Sequence, residues 1–224
     1  MWTEWILVSL MSAGSGIALP QAIGGRAHDF PAVFQLHLEE GGYCTATLVA
    51  EDRLLTAAHC GKAGDRAKIT VGRRSILGTF EVPRGYHQGD ENGADEGWDV
   101  AWVHLDAAIR NVAPWSLEEI EPLRQGDSFS FAGFGCGRYE QGEELEDGVE
   151  RFASLEVMGR EGHHLRTKGD GGIRSCPGDS GGPAWVMVGK RKVLIGVVSM
   201  VDHESELSYF TDLMNRQIRS FLTE

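Results

Sequence analysis

Val33-Phe34-Gln35-Leu36-His37-Leu38 is followed by Glu39-Glu40-Gly41-Gly42 and then by Tyr43 to Val49: an apolar run, a polar break and a second apolar run. Each run has the length of a strand rather than a helix, and the glycine pair supplies the turn. The same pattern recurs along the rest of the chain. Lys68 to Val71 and Val100 to Leu105 follow, then Ser128 to Phe134, Arg151 to Met158, Ala184 to Val188 and Val193 to Met200. Short runs with glycine-rich breaks indicate an antiparallel β-protein, either a sandwich or a barrel. Val112 to Gln125, with Pro114 and Pro122, reads as the connection between two halves. One helix closes the chain, with Thr211-Asp212 able to cap it and Leu213, Met214, Ile218, Phe221 and Leu222 forming a rough apolar stripe.

The 224 residues suffice for one large domain or for one built from two similar halves, and no internal repeat or low-complexity tract is present. A hydrophobic share of 42% is that of a globular protein, and 30 glycines agree with many turns. The formal charge of -12 reads as solubility. It excludes nucleic acid as a partner, because binding phosphates requires a basic face. Trp5 to Leu19 is uncharged and mostly apolar, too short to span a bilayer comfortably but suited to the apolar region of a secretory signal peptide. Met1 to Glu4 lack the Lys or Arg that usually precede such a region. The four cysteines form no Cys-x-x-Cys pair, so two disulfides in an exported protein are expected, with no metal and no cofactor.

Three islands carry chemistry. The most specific is Cys176-Pro177-Gly178-Asp179-Ser180-Gly181-Gly182-Pro183. A serine is a poor nucleophile until a nearby base takes its proton. Flanking glycines permit a sharp turn that leaves amide N–H groups aimed at a reacting carbonyl, and Gly178 and Ser180 would supply this oxyanion hole. The second island is Leu55-Thr56-Ala57-Ala58-His59-Cys60, where small residues precede a histidine, the natural general base near neutral pH. The third is Trp98-Asp99-Val100-Ala101-Trp102-Val103-His104-Leu105. An aspartate entering an apolar strand needs a buried partner, and Asp99 would hold the His59 imidazole in its working tautomer. Trp98, Trp102 and Trp115 read as packing residues, and the acidic loops Asp90 to Glu96 and Glu140 to Glu150 as solvated rather than calcium-binding.

In the order His, Asp, Ser, the three islands resemble the trypsin/chymotrypsin-like serine peptidases. The resemblance runs from Ala22 to the end. It includes Ala22-Ile23-Gly24-Gly25 at the expected mature start, Gly133-Phe134-Gly135 and Gly196-Val197-Val198-Ser199. It implies an all-β fold of two antiparallel six-stranded β-barrels with a C-terminal α-helix. Residues 1–21 would be a signal peptide or propeptide and 22–224 the peptidase domain. Its barrels would occupy about 27–113 and 123–210, with the helix at about 211–223. It further implies a secreted (extracellular or periplasmic) monomeric endopeptidase that acts on protein or peptide substrates and has no membrane contact in its mature form. His59, Asp99 and Ser180 would be its triad. On release of the start, Ala22 or Ile23 would pair with Asp179 and order the oxyanion hole. No Lys or Arg precedes that point, so a trypsin-like activator is not implied.

Several positions depart from the family pattern. The pocket, expected from Arg174, Ser175, Ser199 and Val201, has Arg174 at its base where trypsin-like members carry Asp. An inward guanidinium would favour Glu or Asp before the scissile bond. If Arg174 turns outward or pairs with Asp170, the pocket is shallow and neutral. Val201 stands where many members have Gly and narrows the mouth, so an acidic or small residue is expected there. The resemblance pairs Cys44 with Cys60. The loop Asp202 to Leu207 carries no cysteine, so Cys176 is expected to pair with Cys136, which family topology places beside it. Members of this fold that have lost a triad residue act as binding proteins; a catalytically silent trypsin-fold binding protein is the alternative reading.

Overall fold

The computed structural model describes residues 26–84, 86, 98–140, 143–202 and 204–223. The expected signal segment, Ala22 and Ile23, and the acidic stretch Asp90 to Glu96 lie outside these residues. Six strands form the first barrel: β1 (Val33–Leu38), β2 (Tyr43–Ala50), β3 (Arg53–Thr56), β4 (Arg66–Val71), β5 (Arg74–Glu81) and β6 (Ala101–Leu105). Alternation makes them strands with an inside: in β4, Ala67 and Ile69 are buried while Lys68 and Thr70 are exposed. The barrel closes in the order β1-β2-β3-β6-β5-β4, with β4 returning to β1 through Lys68 opposite His37.

The second barrel uses β7 (Ser128–Gly133), β8 (Arg151–Glu161), β9 (His164–Lys168), β10 (Pro183–Val188), β11 (Arg191–Asp202) and β12 (Leu207–Asp212). Its order is β7-β8-β9-β12-β11-β10, closed by β10 on β7 through Ala184 opposite Phe131. All pairings in both barrels are antiparallel. The two barrels therefore share one strand order without sharing a sequence repeat. Closure needs inward apolar positions at a period of two, which many different sequences satisfy. A two-residue strand, Arg26–Ala27, pairs with the start of β8, and the hairpin of Cys136–Glu140 with Glu143–Glu146 projects from the second barrel.

Two apolar clusters join the barrels. In one, Leu55, Val100 and Trp102 of the first barrel pack with Leu194, Val197 and the closing helix. In the other, Phe30 and Val33 meet Ala132 and Trp185, with Trp115 edge-on to Phe30 and Trp185 at centroid distances of 5.6 and 4.9 Å. Trp102 is buried beneath the Arg53 guanidinium, 5.2 Å from the ring centroid.

The helix departs from expectation: α1 spans Arg216–Thr223 and does not begin at Thr211-Asp212. Those two residues end β12, opposite Val197 and Gly196 of β11, and a residue committed to a ladder cannot open a helix. Asn215 does the capping instead, its side-chain oxygen accepting from the Gln217 amide at 2.9 Å. The stripe nevertheless packs: Leu213, Met214, Ile218 and Phe221 are all buried. Among the described residues no helix is long and apolar enough to cross a membrane.

Candidate active site

His59 sits in the short 3-10 turn Ala58–Cys60 that follows β3. Ala57 and Ala58 are fully buried there, so the small residues that flagged the island are those the packing admits. Asp99 lies two residues before the start of β6 and is fully buried. Its Oδ2 accepts from His59 Nδ1 at 2.8 Å and from Ser199 Oγ at 2.5 Å, while Oδ1 accepts from the His59 amide at 2.9 Å. Thr211 Oγ1 donates to the Asp99 carbonyl at 2.7 Å, tying the same residue to the second barrel. Burial by itself pushes the Asp99 carboxyl up. The charge of His59 and the hydrogen bonds from His59 and Ser199 outweigh it and hold the group below the ordinary aspartate value.

The Ser180 loop is fastened to both barrels. On its own side, the Asp179 carboxylate is fully buried and accepts from the Gly135 amide at 2.8 Å and the Cys176 amide at 2.9 Å. Gly135 is needed for this approach, because a Cβ there would lie 2.6 Å from Asp179 Cγ. From the first barrel, the Thr45 amide donates to the Ser180 carbonyl and Thr45 Oγ1 to the Gly178 carbonyl, both at 2.8 Å. Gly181, at φ +78°, turns against the end of β3, where a Cβ would lie 2.5 Å from the Thr45 carbonyl oxygen and 2.7 Å from the Ala57 amide. Cys60 Sγ is 3.9 Å from the Ser180 carbonyl oxygen, so the serine loop and the histidine turn are in contact. Among the described residues, the Gly178 and Ser180 amides donate to no backbone or side-chain acceptor.

Both disulfides brace this region. Cys44–Cys60 links β2 to the histidine turn, and Cys136–Cys176 lies buried beside the serine loop. Cys44, His59 and Cys60 are the described side chains that cluster most like a metal site, but two of their three ligand atoms are sulfurs bonded to each other. Arg174, Ser175 and Ser199 are buried and Val201 is half-buried. The Ser175 amide donates to Ser208 Oγ at 2.8 Å, and Ser208 stands opposite Val201 in the β11–β12 ladder, so two of the residues expected in the pocket are tied to one hairpin.

Other residues stand apart from expectation or were missed. The expected partners of Asp179, Ala22 and Ile23, lie outside the described residues. Glu150 is not solvated as its acidic loop suggested: it is buried, and one carboxylate oxygen accepts from the Phe30 amide at 2.8 Å. Burial raises its pKa to about 8, with the nearby Asp29 charge acting in the same direction against that hydrogen bond. Asp147 of the same loop pairs with Arg151 through contacts of 2.7 and 2.6 Å. Thr45 and Ser208 carried no signal in the sequence, because each acts through partners far away along the chain.

A family model described as Trypsin matches residues 23–215. A trypsin of Saccharopolyspora erythraea is 29% identical over 199 residues, covering 79% of this chain and 85% of the relative. Among solved structures, neuropsin, a serine protease of mouse brain, matches with a TM-score of 0.71 at 18% identity, covering 89% of this chain and 99% of its own. An inactivated protease paralogue of the scabies mite matches with the same TM-score and identity, covering 90% of this chain and 97% of its own. At that identity the structural likeness speaks to the fold alone.

Proposed function

The chain belongs to the trypsin family of serine endopeptidases, and from that membership we propose that it hydrolyses peptide bonds through Ser180, His59 and Asp99. The observation that carries the reading is the buried Asp99 carboxylate on His59 Nδ1, which leaves Nε2 as the basic nitrogen for a serine proton. Ser180 Oγ attacks the scissile carbonyl carbon as His59 takes its proton. The developing oxyanion is met by the amides of Gly178 and Ser180. His59 then returns the proton to the leaving amine, and water repeats the sequence on the acyl-enzyme. Ser199 supports Asp99 in place while His59 is charged.

The substrate is a protein or peptide with an acidic or small residue before the scissile bond. On this reading Arg174, which is buried, supplies the cation at the pocket base, and Val201 limits its width. The chain acts outside the cell as a monomer after residues 1–21 or so are removed. Ala22 or Ile23 then pairs with Asp179, and no cofactor, nucleic acid or membrane takes part.

The test is to prepare the chain from Ala22 and, separately, from Ile23, and to profile cleavage of a mixed peptide library beside Ser180→Ala. Cleavage and fluorophosphonate labelling by the unaltered chain but not by Ser180→Ala support the reading. A preference for Glu or Asp that is lost in Arg174→Ala supports the acidic specificity. Absence of both cleavage and label would instead favour the catalytically silent binding-protein reading; the mite paralogue that shares the fold is itself named as inactivated.

A further inference from the structure

Beside His59 lies a cleft of about 550 Å³ that belongs wholly to the first barrel. Its floor is apolar, with Leu38, Phe80 and Tyr86, and its inner end is the histidine turn itself. None of Arg174, Ser175, Ser199 or Val201 lines it, so it lies away from the pocket that receives the residue before the scissile bond. His59 must protonate the leaving amine, which therefore departs on the His59 side. A cleft walled by His59 and remote from the specificity pocket is where the chain beyond that amine runs.

The charge at its rim is unequal. Glu39 and Glu40 stand exposed on the β1–β2 turn, and Asp65 also lines the cleft. The cations are Lys62 and Arg66, and the Arg66 guanidinium is already held by both oxygens of Asp106. Four carboxylates thus face two cations in and around the cleft, in a chain of formal charge -12. Resting on the peptidase reading above, we infer that this cleft selects Lys or Arg immediately after the scissile bond, with Glu39 and Glu40 as the specificity-determining residues.

Trapping of the acyl-enzyme tests this without reference to the residue before the bond. The processed enzyme is acylated by a p-nitrophenyl ester in the presence of lysine amide, alanine amide or glutamate amide. The amine nitrogen attacks the Ser180 ester carbonyl, His59 takes the amine proton, and Ser180 Oγ recovers it as the ester bond breaks. Lysine amide should be captured roughly 10-fold better than glutamate amide at low salt, with the gap shrinking at high salt. In Glu39→Gln/Glu40→Gln the ratio should fall to about 2-fold, and in Glu39→Lys/Glu40→Lys it should reverse. Equal capture, a glutamate preference, or a ratio unmoved by either double substitution would overturn the inference. Fluorophosphonate labelling of Ser180 separates the two readings: labelled enzyme with flat capture sinks only this one, whereas unlabelled and inert enzyme sinks the peptidase reading together with it.

Discussion

The Thr45 amide donates to the Ser180 carbonyl at 2.8 Å, so β2, the strand that also carries Cys44, holds the proposed nucleophile's backbone across the barrel interface. Thr45 Oγ1 adds two further bonds, donating to the Gly178 carbonyl and accepting from the Phe134 amide at 3.1 Å. Thr45→Val keeps the shape and removes both. Two half-buried polar groups then lose their partner, and for each one that water cannot reach the cost is about 1–3 kcal/mol. Urea denaturation should show that loss, and acylation of Ser180 should slow because Gly178 is the proposed oxyanion donor.

Asp99→Asn should leave the fold intact and remove catalysis. The amide can no longer fix the His59 tautomer, and kcat should fall about 10⁴-fold, a magnitude known from this family's own reference triad rather than derived from this chain. Ser199→Ala should act in the same direction but more weakly, since His59 still bonds Asp99. Burst kinetics with an ester substrate would separate a lost acylation step from lost binding.

Glu150 should make stability depend on pH. Its pKa is raised from 4.5 in the unfolded chain to about 8 in the native protein. The native carboxyl keeps its proton over that window while the unfolded one releases it. Its contribution is fully present below about pH 4.5 and is lost as pH climbs through about 8. Glu150→Gln does not titrate. Its melting temperature should match the parent near pH 4 and exceed it by a growing margin as pH rises to 8. Thermal scans at a series of pH values check this, and a constant difference would contradict it.

Removing Cys136–Cys176 by a double change to serine should lower stability by about 4 kcal/mol on the chain-entropy view of a 40-residue loop. It should also loosen the Cys176 amide from Asp179 and so slow labelling of Ser180. Removing Cys44–Cys60, with a separation of 16, should cost about 3 kcal/mol. Guanidinium midpoints and labelling rates distinguish the two effects.

The local signals were readable without coordinates. Alternating apolar runs broken by glycine announce strands, and Gly178-Asp179-Ser180-Gly181-Gly182 with Ala57-Ala58-His59-Cys60 single out the proposed nucleophile and base, because these features depend on neighbours a few residues apart. Strand reading alone could not choose barrel over sandwich, nor find β3, β5, β9 and β12, since pairing and closure depend on partners far away in sequence. Tertiary structure alone decided that Thr211-Asp212 would finish a strand, that Glu150 would be buried, and that Thr45 would clamp a loop 133 residues further on. A hydrogen bond across such a separation leaves no pattern in the chain around either residue. Its geometry comes into being only when the two closed barrels pack together.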